Sequence, residues 1–119
     1  MTDNQTTAAV RAHVEAFNDG DLEKLLAGFT EDALWITGQT VVRGRAELSR
    51  LFGGAIDGLR PHLAVENLIA EDSRAACQMT EMLLVEDEQR SYPIAAFFRL
   101  RDGLIASAKV YREGSAEVA

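Results

Sequence analysis

A chain of 119 residues holds one domain with one core, and 47% apolar against 26% charged residues excludes both a disordered and a fibrous chain. The net charge of −7, with basic residues scattered apart from the loose group Arg43, Arg45 and Arg50, excludes a nucleic-acid partner, which needs clustered cations that release counterions from phosphates. The single cysteine, Cys77, excludes an internal disulfide and any Cys/His zinc spacing, so no metal is expected; its apolar surroundings read as a buried, inert thiol in a reducing, cytoplasmic setting.

The opening residues, Met1 to Thr7, are polar and lack a hydrophobic signal region, and no apolar run reaches the length of a membrane span, so no membrane partner is expected. From Thr7 the residues Ala8, Val10, Val14 and Phe17 recur at helical spacing, with Thr6 or Thr7 as cap and Asn18-Asp19-Gly20 as the stop. Asp21 caps a second helix whose buried stripe is Leu22, Leu25, Leu26 and Phe29, and so short a link predicts a helical hairpin. A strand is predicted over Ala33–Thr37, a turn at Gly38-Gln39, and a third helix from Arg45 to Ile56 that buries Leu48, Leu51, Phe52 and Ile56. Gly53-Gly54 lies inside that helix and costs about 1 kcal/mol per glycine relative to alanine.

After Pro61 the period changes to two. Strands are predicted over His62–Ala70, Arg74–Val85, Arg90–Arg101 and Leu104–Arg112, joined by hairpin-scale polar turns into an antiparallel meander with the helices on one face. Phe97 and Phe98 are sequence neighbours and so point to opposite sides of the sheet. Phe97, Met79 and Leu83 are expected on the outer side, where a second copy of the chain would cover them, which predicts a homodimer through the outer sheet face.

This order of elements, with three stretches of sequence, resembles the NTF2-like superfamily and its SnoaL-like and ketosteroid-isomerase-like domains. Phe17–Trp35 (FNDGDLEKLLAGFTEDALW) resembles the family's opening, Val41–Leu48 (VVRGRAEL) its strand–glycine–helix entry, and Phe97–Tyr111 (FFRLRDGLIASAKVY) its closing hairpin. The resemblance spans nearly the whole chain and implies a single α+β domain over 1–119. It implies a cone in which three N-terminal helices pack on a curved antiparallel sheet and enclose one apolar pocket. The superfamily contains isomerases, polyketide cyclases, epoxide hydrolases, dehydratases and binding modules, so the fold does not name the reaction.

Aligned on the Asn-x-Gly-Asp string, His13 stands where ketosteroid isomerases carry a tyrosine, Thr37 where they carry the aspartate base, and Ala95 or Ala96 where they carry the protonated aspartic acid. A threonine and an alanine cannot replace two carboxyl groups whose separated pKa values run that chemistry, so a standard ketosteroid isomerase is excluded. His13 remains as an acid or base, or as a plain helix histidine. Trp35 and Thr37 share one side of the first strand, which the resemblance turns inward; Trp35 is either a flat wall for an apolar ligand or core.

On the strand Arg74–Val85 the same alignment turns Gln78, Thr80 and Met82 inward and Cys77, Met79 and Glu81 outward, whereas a slip of one residue makes Glu81 the interior carboxylate. Tyr92, Ile94, Ala96 and Phe98 share one face, which places Phe98 in the pocket wall and Tyr92 near the mouth as a phenol donor or a rim residue. Arg99 and Arg112 read as exposed or interface residues. Arg99 has no pair of inward aspartates for epoxide hydrolysis of the Asp–Arg–Asp type, because Asp72, Asp87 and Asp102 fall in turns. Two readings follow: a module that binds a small apolar molecule, or a cofactor-independent isomerase, cyclase or dehydratase acting on a hydrophobic carbonyl compound with His13 and Tyr92 as catalytic groups. Neither needs a cofactor.

Overall fold

The computed structural model describes residues 2–113. Helix α1 (Asp3–Asn18) begins at Asp3 rather than at Thr7. Its first turn is polar and has no apolar period to read, but a reciprocal cap holds it: Gln5 N donates to Thr2 Oγ1 at 3.1 Å and Thr2 N donates to Gln5 Oε1 at 2.9 Å. Both ends of α1 are tied to the sheet. At the start, Asp72 N donates to Asp3 Oδ1 at 2.7 Å and the Thr6 hydroxyl donates to the Asp72 carbonyl. At the end, Asn18 Nδ2 donates to Leu63 O at 2.9 Å while Leu63 N donates to Asn18 Oδ1 at 2.8 Å.

Gly20, at φ +69°, turns the chain into α2 (Leu22–Ala27), where Lys24 N donates to Asp21 Oδ1 at 3.1 Å, the cap expected of Asp21. Phe29 does not continue the helix stripe. It is fully buried as the first residue of β1 (Phe29–Thr37), which starts earlier than its apolar pattern predicts because the register shifts between Phe29 and Leu34 interrupt the alternation. After β2 (Thr40–Arg43), Gly44 takes φ +86° and donates to Ala33 O at 2.8 Å, a backbone conformation that a side chain would strain.

Helix α3 (Arg45–Asp57) follows, with Leu48 and Phe52 as its buried residues. Its polar ties lie in the first turn, where Arg43 N donates to Glu47 Oε1 at 3.4 Å and Arg45 Nη2 donates to Phe29 O at 2.5 Å. Beyond that turn α3 is held by apolar packing and by its own closing bonds, Gly58 N to Gly54 O and Arg60 N to Ala55 O.

Strands β3 (His62–Glu71), β4 (Arg74–Val85), β5 (Glu88–Arg101) and β6 (Leu104–Arg112) form the expected antiparallel meander. The sheet order is β2-β1-β6-β5-β4-β3, and β1 lies parallel to β6, so the sheet is mixed rather than antiparallel throughout. Periodicity marks which segments are strands; which strands become partners is decided by the helices that carry the chain between them. Irregular register at Val65/Asn67 and Arg99/Leu100 bends the sheet around the helices. The core between helices and sheet contains Val10, Leu25, Phe29, Leu48, Phe98 and Ile105, each almost fully buried.

In β4 the buried residues are Ala75, Cys77, Met79, Glu81 and Leu83. Met79 and Leu83 therefore lie on the helix-facing side and not, as expected, on the outer side. Phe97, 53% exposed, does face outward, and its neighbour Phe98 faces the core.

Candidate functional site

A cavity of about 190 Å³ lies between α1, α3 and the inner face of the sheet. His13 and Phe17 of α1, Leu51, Phe52 and Ala55 of α3, and Pro61 form one wall; Trp35, Thr37, Leu63, Met79, Glu81, Ile94, Ala96, Phe98, Val110 and Arg112 form the other. Strand alternation explains the second wall. Trp35 and Thr37 are two apart in β1, Met79 and Glu81 in β4, Ile94, Ala96 and Phe98 in β5, and Val110 and Arg112 in β6, so each set projects to one side.

His13 is 6% exposed and ringed by aromatic groups: its ring centroid lies 5.4 Å from Phe29, 5.7 Å from Trp35, 5.7 Å from Phe98 and 6.3 Å from Phe52. Burial without a charged neighbour pulls its imidazole down from the ordinary 6.5 to about 4, because the desolvated ring resists a proton. His13 is thus neutral at physiological pH. Its Nδ1 is buried and has no hydrogen-bond partner among the described residues.

The polar corner of the cavity is an ion pair. Arg112 Nη2 donates to both Glu81 Oε1 and Oε2 at 2.8 Å, with the Glu81 side chain 8% and the Arg112 side chain 27% exposed. Register makes the contact possible: Glu81 is opposite Tyr92 on β5, and Arg112 is opposite Ile94, so the guanidinium reaches across β5 from the adjoining row. Arg112 Nε is buried without a partner among the described residues. Thr37 and Arg112 also face a surface depression beside the turn Gly38-Gln39-Thr40, which puts them at the boundary between cavity and solvent.

Of the residues singled out from sequence, His13, Trp35, Thr37 and Phe98 come together at this cavity. Tyr92 shares the face of Ile94 and Glu81 but stops short of the lining, half-buried at the next row. Gln78, Thr80 and Met82 are not brought to the cavity; they lie on the opposite face of β4, where Gln78 Oε1 accepts from Asn67 Nδ2 at 2.6 Å, Thr80 Oγ1 donates to Glu66 Oε1 at 3.0 Å, and Met82 Sδ accepts from Gln89 Nε2 at 3.4 Å. The physical reason is alternation: burying Cys77 and Met79 puts their odd-numbered neighbour Glu81 inside with them, and only Arg112 makes that carboxylate tolerable. Glu81 is the interior carboxylate that the one-residue slip allowed, in place of the resemblance-based register, whereas Arg112, expected as an exposed or interface residue, is the functional candidate that the sequence reading missed. The available signal was the plain sequence Cys-Gln-Met-Thr, in which the polar residues alternate with apolar ones and read outward on their own.

The surface pair Asp32–Arg101, at 2.7 Å, lies apart from this cavity; hydrogen bonds from Arg101 and Thr30 hold the Asp32 carboxyl below its usual range. The buried Cys77 thiol is pushed up by desolvation, as suits an inert group. Among the described residues no group of three or more His, Cys, Asp or Glu side chains converges as metal ligands would, and no helix is long and apolar enough to cross a membrane.

Comparison with known proteins agrees with this architecture. A protein from Kribbella flavida proposed to be a ketosteroid isomerase superposes with a TM-score of 0.84 at 25% identity, covering 100% of this chain and 86% of that one. A proposed polyketide cyclase from Xanthomonas campestris superposes with a TM-score of 0.86 at 26% identity, covering 93% and 92%. An epoxide hydrolase of the LEH-like type from M. tuberculosis shares the fold, with a TM-score of 0.83 at 18% identity and coverage of 93% and 84%. No curated protein matches the sequence. The SnoaL-like domain family matches residues 10–108, which include the C-terminal half of α1, the helices after it and most of the sheet. The chain belongs to the SnoaL-like domain family of the NTF2-like superfamily.

Proposed function

We propose that this chain binds one small, mainly apolar molecule in the cavity between α1, α3 and the sheet. The observation that carries this reading is the lining: an apolar enclosure of about 190 Å³ whose polar side chains are confined to His13, Trp35, Thr37, Glu81 and Arg112. Apolar walls with a few convergent polar groups are the usual make-up of a ligand site. Trp35 is the only tryptophan in the chain and lies in the cavity wall, so it reports occupancy directly. Titration with monocyclic ketones and phenols is expected to change Trp35 fluorescence and saturate at one ligand per chain. A panel that leaves both the fluorescence and the melting temperature unchanged defeats this reading.

A second reading is supported by the presence of His13 and Glu81 in one cavity: cofactor-independent isomerisation, cyclisation or dehydration of a bound carbonyl compound. The two-acid route of the ketosteroid isomerases is not available to it, because Thr37 and Ala96 line the cavity where the resemblance places the acids. Its test is deuterium uptake from solvent at the carbon beside the carbonyl of a bound ketone. Uptake that His13→Ala lowers supports acid–base work by His13; no uptake leaves the binding reading alone.

The outer sheet face is proposed to pair with a second copy of the chain. Ile69, Leu84, Phe97 and Tyr111 expose between 51% and 71% of their surface there, and Phe97 packs edge-on to Tyr111 at 5.8 Å. Light scattering is expected to give twice the chain mass at micromolar concentration. The lone, buried Cys77 suits a reducing, cytoplasmic setting for this assembly.

A further inference from the structure

We infer that Glu81 is a charge filter: by occupying Arg112 it makes the polar corner of the cavity electroneutral, so the enclosed ligand is a neutral, single-ring carbonyl or amide compound, and carboxylates of the same shape are rejected. The inference rests on the binding reading above and specifies its ligand. The titratable groups lining the cavity are His13, Glu81 and Arg112. The first is neutral, and the other two carry opposite charges joined at 2.8 Å. A third charge brought into this apolar enclosure would stand uncompensated, where desolvation is expensive. Left to itself Arg112 would be a carboxylate receptor, the usual partner of a planar guanidinium. Glu81 already fills that role from the cavity wall.

The pair nevertheless leaves hydrogen-bonding capacity for a neutral molecule. Nη2 alone serves both Glu81 oxygens, and a guanidinium carries five N–H groups. Of the remaining donors, the buried Nε has no acceptor among the described residues. An uncharged oxygen can take such a donor without adding charge, and the Glu81 oxygens retain lone pairs for an N–H or O–H beside it. Size limits the rest of the molecule: an apolar cavity of roughly 150 Å³ encloses benzene, so about 190 Å³ encloses one ring with a substituent of a few atoms.

Benzamide, benzoate and benzamidine share this size and shape and carry charges of zero, minus one and plus one. Their binding to the full-length chain at neutral pH, by calorimetry and Trp35 fluorescence, is the test. Benzamide is expected to bind at least about tenfold tighter than either ion, because each ion must be desolvated against a neutral site. Glu81→Gln removes the filter: benzoate should gain about tenfold or more, with benzamide changing far less. Arg112→Gln is the reciprocal variant and should favour benzamidine, which keeps the test open if Glu81→Gln does not fold. Benzoate binding the unmodified chain as tightly as benzamide overturns the filter while leaving the cavity reading intact, as does an unchanged charge ranking in a folded variant. Binding of none of the three to any of the proteins defeats both.

Discussion

The two faces of the sheet are both rich in apolar side chains, yet one is covered by helices and the other is exposed. The inner face buries Met79, Ile94, Ala96 and Phe98 against the helices and admits charge only as the closed Glu81–Arg112 pair. The outer face leaves Ile69, Phe97 and Tyr111 in the open, with Lys109 placed 5.2 Å over the Tyr111 ring, and its polar groups satisfy one another through single surface bonds. The comparison teaches that hydrophobicity alone does not distinguish a cavity wall from an exposed face in this chain. Enclosure does, and enclosure is supplied by α1 and α3.

Adjacent residues give the strongest test of that contrast. Phe98→Ala should cost about 3–5 kcal/mol in a urea titration, through lost burial and the void left behind. Phe97→Ala, measured where the chain is monomeric, should stay within about 0.5 kcal/mol of the parent. Equal losses would break the distinction between the faces. His13 sharpens it from the pH side. Its folded pKa of about 4 lies below the ordinary 6.5, so the unfolded chain binds the extra proton between those values. Its contribution is fully present above pH 6.5 and is lost as pH falls towards 4, amounting to about 3 kcal/mol. Stability curves of the parent and His13→Gln should converge over this window as pH falls; parallel curves would mean that the inner face is wetter than its geometry indicates.

On the outer face, Phe97→Asp should weaken self-association by about tenfold or more while the monomer keeps its melting temperature, as sedimentation at graded concentrations would show. A mass unaffected by the change would remove this face from the dimer. The smallest effect belongs to Gly54, in α3, where an added methyl meets no atom within 4 Å. Gly54→Ala should stabilise the chain by about 0.5–1 kcal/mol by thermal melting, since the helical conformation costs alanine less than glycine.

Most of the fold was legible in the sequence because its signals are local. Asp21 caps α2, the period of two after Pro61 marks the meander, and three stretches carry the family pattern. The parallel pairing of β1 with β6 was not legible, since no residue pattern within either strand encodes its neighbour. The site was half legible. Alternation and helical spacing show which residues share a face with His13, Trp35, Thr37 and Phe98, and the family resemblance turns those faces inward. In β4 the apolar residues Ala76, Met82 and Leu84 lie outward while Glu81 lies inward, so polarity there gives a mixed signal. The charge is explained only by Arg112, which stands far along the chain and meets it across an intervening strand.

The two helices are fastened unequally, and this bears on how firmly each side of the cavity is held. Asp3, Thr6 and Asn18 pin α1 to the sheet at both ends, whereas α3 is pinned only near Arg45 and Glu47. Within the helical wall of the cavity, the part that carries His13 is therefore tied at both ends, and the part that carries Leu51 and Ala55 is held by apolar packing and by the helix's own closing bonds. Amide protons of Gly53 to Gly58 should exchange with solvent ahead of those in the middle of α1, and a filled cavity should slow the former. If the cavity binds as proposed, substitutions at Leu51 and Ala55 should change the size of molecule accepted while leaving the fastening of α1 intact.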